Sequence, residues 1–345
     1  MKRRMLPLWG LVLALLLSAC APAGEEEPAP PPEEAGPLKL ESLFLEVPRG
    51  DLSAQELART VRELPEALRK ALADRGVEAE TVQISVGSSP EATALAAAQG
   101  GVDLAILPAG DFAALENPPE RLLTAGSFAP DLGEDPAAWD EKGEGSGLGS
   151  LGVPLLLCAG PTEYGAALAE KEAPLTWEEL AGARWGVLED TPAGRRGAAL
   201  FLPEGRAVED LPEAAVYGEA EDLFRAAAGE ELDLLVLPGG LRREWAFAWT
   251  QDAERTDIRN GRQGLGRSGD IYEELPALAV SGKLYNMAAA VRPDGGALSG
   301  EIFARALAEA LNVLKEDYPV LGAGLLYAPV RDAPLDAQRK LAELG

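Results

Sequence analysis

One apolar phrase occurs twice in this chain of 345 residues. Asp103 to Gly110 reads DLAILPAG, and Asp233 to Gly240 reads DLLVLPGG. Each phrase follows an alanine-rich stretch that ends in glycine, and a short apolar run closed by proline is typical of a buried strand after a helix. At about 100–200 residues per domain, the length allows two domains. We therefore expect two lobes of like topology.

The first half of the chain alternates strand and helix patterns. A helix starting at Ser53 has Glu56 at the third helical position, which predicts a capping box, and Pro65 predicts a kink or a break in it. A second, alanine-rich helix starts after Ser89, with Pro90 at its first position. The order β-α-β-α-β predicts a mostly parallel sheet flanked by helices, with strands over 39–47, 81–86 and 102–107.

The second half repeats this order between residues 177 and 237, and two further strands link the halves. Residues 151–159 read as a strand that enters the second lobe, and residues 284–291 read as a strand that returns to the first. The expected lobes are 38–150 with 280–345 for lobe I, and 151–279 for lobe II. The helix over 298–314 and the C-terminal tail are expected to pack on lobe I.

The N-terminus has the pattern of a targeting segment. Residues 1–19 combine a basic start with a short apolar run, and Leu17-Ser18-Ala19-Cys20 follows. This resembles a bacterial lipoprotein signal, which implies cleavage before Cys20 and lipidation of its thiol, for example with palmitate. Residues 20–37, rich in Pro, Glu, Ala and Gly, predict an extended tether. An uncleaved anchor helix is the alternative.

Composition excludes several classes of function. The net charge is −26, which is unsuited to nucleic-acid binding. The chain has no histidine, which removes His-based catalysis and His-ligated metal sites. Its two cysteines are too few for a zinc or iron–sulfur cluster, and Cys158 is expected to be a buried small hydrophobe. We expect no metal and no cofactor, and we read Arg242 to Trp245 as a solvated helix face with a half-buried indole.

Several phrases resemble a known family. Gly100-Gly-Val-Asp-Leu-Ala-Ile-Leu-Pro-Ala-Gly110 and Leu175-Thr-Trp-Glu-Glu-Leu-Ala-Gly-Ala-Arg-Trp-Gly-Val187 are similar to motifs of the phosphate/phosphite/phosphonate-binding group of ABC-transporter solute-binding proteins. The resemblance implies the type 2 periplasmic-binding fold, with two α/β lobes joined by two hinge strands. Residues 190–195 stand where that family has a Ser/Thr-rich anion-binding turn, but here only Thr191 supplies a hydroxyl and Pro192 removes an N–H donor.

Ligands of open α/β sheets bind beyond the carboxyl ends of the strands, close to helix N-termini. This rule, together with the family's turn and the second interlobe crossing, gives the candidate ligand-binding residues. Arg195 would supply a guanidinium to an oxyanion, or it is an exposed residue of a first helical turn. The candidates are Ser88, Ser89, Pro108, Ala109, Gly110, Thr191, Ala193, Gly194, Arg195, Tyr217 and Tyr285.

The resemblance implies a membrane-anchored, monomeric solute-binding protein outside the cytoplasm, with an ABC permease and ATPase as partners. Its solute would be a phosphonate- or phosphate-like oxyanion, and the alternatives are a sulfonate or a heterocyclic vitamin precursor. A ligand-sensing lipoprotein of the same fold is the second hypothesis. An enzyme is the third and least supported, because no catalytic constellation stands out.

Overall fold

The computed structural model describes residues 36–49, 52–141, 149–189, 194–257 and 261–343, except for the side chains of Gly194 and Arg195. The signal-like segment, Cys20 and most of the tether lie outside the described residues. Among the described residues, no helix has the length and apolar character needed to cross a membrane.

Thirteen strands and eleven α-helices are found in the described residues. The strands are β1 (Leu38–Val47), β2 (Val77–Val86), β3 (Leu104–Pro108), β4 (Glu120–Gly126), β5 (Phe128–Pro130), β6 (Gly149–Leu151), β7 (Leu155–Ala159), β8 (Trp185–Leu188), β9 (Ala214–Tyr217), β10 (Leu234–Pro238), β11 (Ala277–Val280), β12 (Met287–Val291) and β13 (Leu326–Ala328). The helices are α1 (Ala54–Ala73), α2 (Pro90–Ala98), α3 (Ala109–Ala114), α4 (Pro136–Asp140), α5 (Glu163–Ala169), α6 (Trp177–Ala181), α7 (Ala220–Ala228), α8 (Leu241–Thr250), α9 (Ile271–Glu274), α10 (Glu301–Leu314) and α11 (Asp336–Glu343). Short 3₁₀ segments include Gly194–Phe201.

Two sheets divide the fold, and their strand orders correspond. The first sheet has the order β13-β4-β12-β3-β1-β2, and the second has β11-β7-β10-β8-β9. In each, three parallel strands come from consecutive β-α units, and the next strand is antiparallel to them. The expectation of two lobes of like topology is confirmed, and below lobe I and lobe II are the parts that form these two sheets.

The sheets are mixed rather than mostly parallel. Strand β7 enters lobe II from lobe I and pairs antiparallel with β10, while β12 returns and pairs antiparallel with β3. Both linking segments were expected from the sequence. Their direction follows from the crossing itself, because each exchanged strand enters its sheet from the interlobe side, where the parallel strands end.

The two crossings touch each other at the junction of the lobes. Val153 and Leu284 form an isolated antiparallel bridge between them. Gly152 has a φ of +90°, and the position that a Cβ would take there lies 2.7 Å from Cε1 of Tyr285. The ring of Tyr285 therefore packs directly against the backbone of the first crossing, and only glycine at position 152 leaves room for the ring.

The C-terminal tail does not pack on lobe I alone. Arg121 and Thr124 of β4 donate hydrogen bonds to carbonyls of residues 330–333, which hold the tail along lobe I. Helix α11 then lies against α3 of lobe I and against the 3₁₀ segment 194–201 of lobe II. The Lys340 ammonium donates to the Leu200 carbonyl at 3.1 Å, so the tail ends bonded to lobe II. The tail spans the junction of the lobes.

The structure corrects two other expectations. Helix α1 is continuous through Pro65, so a break at this residue was wrong; the capping box at Ser53 and five buried residues stabilise the helix. Arg242 is 2 % exposed and bonds to the Asp140 carboxylate and the carbonyls of Trp139 and Leu275, and Trp245 is 3 % exposed. Arg242 and Trp245 therefore lie on the buried face of α8, while Arg243 and Glu244 between them are exposed. The prediction for Cys158 is confirmed, since it is fully buried in β7 and burial raises its pKa to about 11.

Candidate functional site

The carboxyl ends of strands from both lobes meet at helix α11. In lobe I, β3 ends at Pro108 and the chain turns directly into α3. In lobe II, β8 ends at Leu188 and is followed by the 3₁₀ segment 194–201. Both of these helical segments contact α11. This is the location at which ligands of open α/β sheets bind.

A cavity of about 280 Å³ lies at this meeting point. Its walls come from α3, the second crossing, the lobe II 3₁₀ segment and α11. The described residues that line it are Pro108, Gly110, Asp111, Arg196, Leu284, Tyr285, Asn286, Gln338, Leu341 and Ala342. A volume of this size suits a small solute, and both lobes contribute to the wall.

Two side-chain carboxamides in this wall have buried atoms without partners within the described protein. Gln338 is 4 % exposed, and neither its Nε2 nor its Oε1 makes a hydrogen bond. The Oδ1 of Asn286 is also buried and without a partner. Leaving a buried polar group unsatisfied costs about 1–3 kcal/mol, so such groups call for an explanation.

The other polar groups of the wall include a carboxyl and a phenol. Burial, with a smaller contribution from the Glu91 carboxylate, raises the pKa of the Asp111 carboxyl. Burial also raises the pKa of the Tyr285 phenol, against the opposing effect of Lys283 and Arg121. Tyr285 is therefore neutral and able to donate a hydrogen bond near pH 7.

A larger cavity of about 610 Å³ lies on the other face of α11. It is lined by the interlobe segment 131–134, the crossing residues 280–285 and Lys340. Its two lysines are already bonded, Lys283 to Asp131 at 2.5 Å and Lys340 to the Leu200 carbonyl. The smaller cavity is the better candidate for a solute site, because its wall holds the buried, unpaired atoms of Gln338 and Asn286.

The structure brings some of the sequence-predicted residues together and leaves others apart. Pro108, Gly110 and Tyr285 line the smaller cavity, and the buried Ala109 ties α3 to the crossing by donating its N–H to the Asn286 carbonyl at 2.9 Å. The remaining predicted residues that the structure describes do not line it: Ser88 is exposed, Ser89 caps α2 by accepting from the Ala92 N–H at 3.2 Å, and Tyr217 packs against the lobe II core. Thr191 and Ala193 lie outside the described residues, as does the side chain of Arg195, and Gly194 begins the 3₁₀ segment.

Sequence reasoning missed Asp111 and Gln338. Arg196 was considered beside Arg195 as a guanidinium for an oxyanion, and it lines the cavity. Asp111 stands one residue after the predicted Gly110, so the strand-end rule found this turn but not its full extent. Gln338 carried no signal, because a glutamine in an amphipathic tail helix reads as a surface residue. Gln338 reaches the cavity wall only because the tail runs across the cleft, and this path is not apparent from the sequence.

No protein-family model and no curated protein sequence matches this chain. Among solved structures, the Mh-p37 protein of Mycoplasma hyorhinis aligns at a TM-score of 0.46 with 10 % identity, over 89 % of this chain and 98 % of that one. XAC2383 of Xanthomonas citri, solved with chloride, aligns at 0.41 with 11 % identity, over 88 % and 96 %. PhnD1 of Prochlorococcus marinus, in complex with methylphosphonate, aligns at 0.36 with 11 % identity, over 88 % and 97 %.

The fold class follows from the chain's own topology, in which two mixed sheets of corresponding strand order exchange one strand each across a pair of crossings. This is the two-lobed α/β architecture of type 2 periplasmic-binding proteins.

Proposed function

We propose that this chain is the solute-binding component of an ABC importer. The observation that carries the proposal is the cavity of about 280 Å³, walled by both lobes and the tail, in which the Gln338 carboxamide and the Oδ1 of Asn286 lack partners within the described protein. A buried wall with unsatisfied donors and acceptors is suited to a polar solute that completes its hydrogen bonds.

The two crossings supply the hinge that capture requires. We propose lobe boundaries of 38–150 with 280–345, and 151–279, so that each lobe moves as a body about the Val153–Leu284 bridge. Closure of two lobes around a solute excludes water and strengthens each polar contact. The closed surface is then the form that a membrane permease recognises.

We propose binding without chemical conversion of the solute. A non-enzymatic protein would return its solute unchanged, and a solute recovered in altered form would overturn this part of the proposal. The same fold would serve a receptor that reports solute occupancy to a sensor, and this possibility is tested genetically. Loss of uptake on deletion of the gene supports transport.

The anchoring follows from the N-terminal sequence. We propose that residues 1–19 are removed and that acyl chains on Cys20 hold the protein on the outer face of the cell membrane, since two chains suffice for stable anchoring. Removal takes away three basic residues and no acidic ones, so the mature chain carries a net charge of about −29. Substituting Cys20→Ser should move the protein from the detergent phase to the aqueous phase in Triton X-114 partitioning. Retention in the detergent phase would indicate an uncleaved anchor helix instead.

The family resemblance makes a phosphonate- or phosphate-like oxyanion the first solute to test. Arg196, which lines the cavity, supports it, because a guanidinium pairs well with oxyanions. A sulfonate and a nitrogen heterocycle complete the panel. The chain's large negative charge opposes long-range capture of any anion.

Thermal shift followed by calorimetry tests the proposal. The detergent-solubilised chain is screened against methylphosphonate, inorganic phosphate, an alkanesulfonate and nitrogen heterocycles. A true solute at 100 times its dissociation constant adds about 2.7 kcal/mol of stability, and calorimetry should then give one site per chain. Absence of any shift across these classes would contradict the proposal.

A further inference from the structure

The C-terminal tail contributes the most distinctive hydrogen-bonding group of the smaller cavity, the carboxamide of Gln338. Gln338 presents an N–H₂ donor and a carbonyl acceptor side by side, both buried and both without partners. Asn286 adds a second unpaired acceptor through its Oδ1, and the Asp111 carboxyl adds further acceptor oxygens to the same wall. Acceptors therefore outnumber donors among these three side chains.

This balance distinguishes between classes of solute. An oxyanion offers only acceptors, so it would accept from the Arg196 guanidinium and the Tyr285 hydroxyl of the wall but leave the oxygens of Gln338, Asn286 and Asp111 unsatisfied. A small uncharged molecule with an N–H beside a C=O satisfies both halves of a carboxamide at once, as a lactam, a primary amide or a pyrimidine edge does. Its additional N–H groups would satisfy the Asn286 oxygen.

From this arrangement we infer that the cavity binds an uncharged solute bearing adjacent N–H and C=O groups, and that Gln338 of the C-terminal helix α11 pairs with that edge. The inference rests on the proposed function and names its class of solute. It also assigns the tail a role, since residues 330–333 are tied to lobe I and Lys340 to lobe II, which places Gln338 in the cleft between them.

The position of Gln338 is difficult to explain by stability alone. A glutamine that is 96 % buried without a single hydrogen bond destabilises the solute-free protein, and leucine has a similar size without that cost. Residues kept at a cost to stability are characteristic of binding sites. The Gln338→Leu variant therefore separates a binding role from a structural one.

The test uses uracil and nicotinamide as uncharged probes, with methylphosphonate and inorganic phosphate as oxyanion probes, on the detergent-solubilised full chain. We expect a concentration-dependent thermal shift with at least one uncharged probe. Gln338→Leu should raise the Tm of the solute-free protein by about 2 °C and weaken probe binding at least tenfold. Gln99→Leu, at an exposed glutamine that caps α2, is the matched control and should leave binding unchanged.

Asn286→Ala is the second variant, and it should weaken binding of the same probe without abolishing folding. A shift with methylphosphonate or phosphate alone would overturn the inference and leave the proposed function standing. An uncharged probe that binds Gln338→Leu as tightly as the unaltered chain would also overturn it. No shift with any of the four probes would overturn the inference and count against the proposed function as well.

Discussion

The Asp233 carboxylate accepts three hydrogen bonds from Arg184, one from its backbone N–H at 2.9 Å and two from its guanidinium at 2.9 and 2.7 Å. Thr162 donates a fourth at 2.6 Å. In lobe I the corresponding residue, Asp103, accepts from the Phe44 N–H at 2.9 Å and pairs with Arg292 at 2.9 Å. In both lobes, the aspartate that begins the repeated phrase therefore links neighbouring strands of the sheet through its carboxylate.

Removing the Asp233 carboxylate should destabilise lobe II. Asp233 is 3 % exposed, so Asp233→Ala leaves the hydroxyl of Thr162 and the N–H of Arg184 without an acceptor. We expect a loss of about 3 kcal/mol in the free energy of unfolding, measured by urea denaturation. Glu63→Ala breaks an exposed ion pair with Arg59 and should cost less than about 0.5 kcal/mol.

The hydrogen bonds to the Asp233 carboxylate should also make the stability of the protein depend on pH. Burial acts to raise the pKa of Asp233, but the hydrogen bonds from Arg184 and Thr162 outweigh it and the pKa is lowered. A lowered folded-state pKa stabilises the protein above the unfolded value of about 3.9, and this stabilisation is lost as the pH falls through the folded value. Asp233→Asn should therefore flatten the fall in stability below about pH 4. An unchanged acid profile would contradict this assignment.

Arg242 should be the most sensitive arginine of helix α8. It is buried with Asp140 as its partner at 2.6 Å, and Asp140 also accepts from the Ala277 N–H at the start of β11. Arg242→Ala leaves this half-buried carboxylate without its cation and the carbonyls of Trp139 and Leu275 without their donor, and should cost about 3 kcal/mol. Chemical denaturation measures the loss. The neighbouring Arg243 is exposed, and Arg243→Ala should change stability by less than about 0.5 kcal/mol.

The contact between Gly152 and Tyr285 should be needed for the hinge. Gly152→Ala meets both a positive φ and the Tyr285 ring at 2.7 Å, so we expect a cost of about 3 kcal/mol or more. Gly205 has a φ of +78° with nothing within 4 Å of its Cβ position. Gly205→Ala is therefore the matched control, with a cost of about 1 kcal/mol from backbone strain alone. Equal losses in the two variants would show that the ring contact has no effect.

Removing the tail should loosen the junction of the lobes. Leu335 packs into the lobe I core and Leu341 into the lobe II core, so deletion of residues 333–345 removes buried contacts on both sides of the cleft. We expect a stability loss of about 3–6 kcal/mol and a larger radius of gyration in small-angle X-ray scattering. Removing residues 344–345 alone is the control. An unchanged radius of gyration would contradict the bridging role of α11.

The architecture could be anticipated from the sequence because its signals are local. The repeated phrase marked β3 and β10, and the caps at Ser53 and Ser89 are those found in the structure. The mixed direction of the sheets was missed, since strand direction depends on where the chain crosses between lobes. The burial of Arg242 was missed as well, because its partner Asp140 lies 102 residues away.

The candidate site could be predicted only in part. The strand-end rule found Pro108 and Gly110, and the second crossing gave Tyr285, because these positions follow from the order of elements. Ser89 was selected by the same rule, and its hydroxyl is used as a helix cap. Gln338 could not be found, because the path of the tail is set by long-range bonds from Arg121 and Thr124.

Hydrogen–deuterium exchange with a solute that gives a thermal shift tests most directly whether the solute is held between the lobes. The cavity predicts slower exchange on solute addition in three separate segments, residues 108–111, 284–286 and 336–342, which come together only at this site. Tyr285→Ala should abolish the slowing in all three. Slower exchange confined to other parts of the chain would contradict the interlobe site.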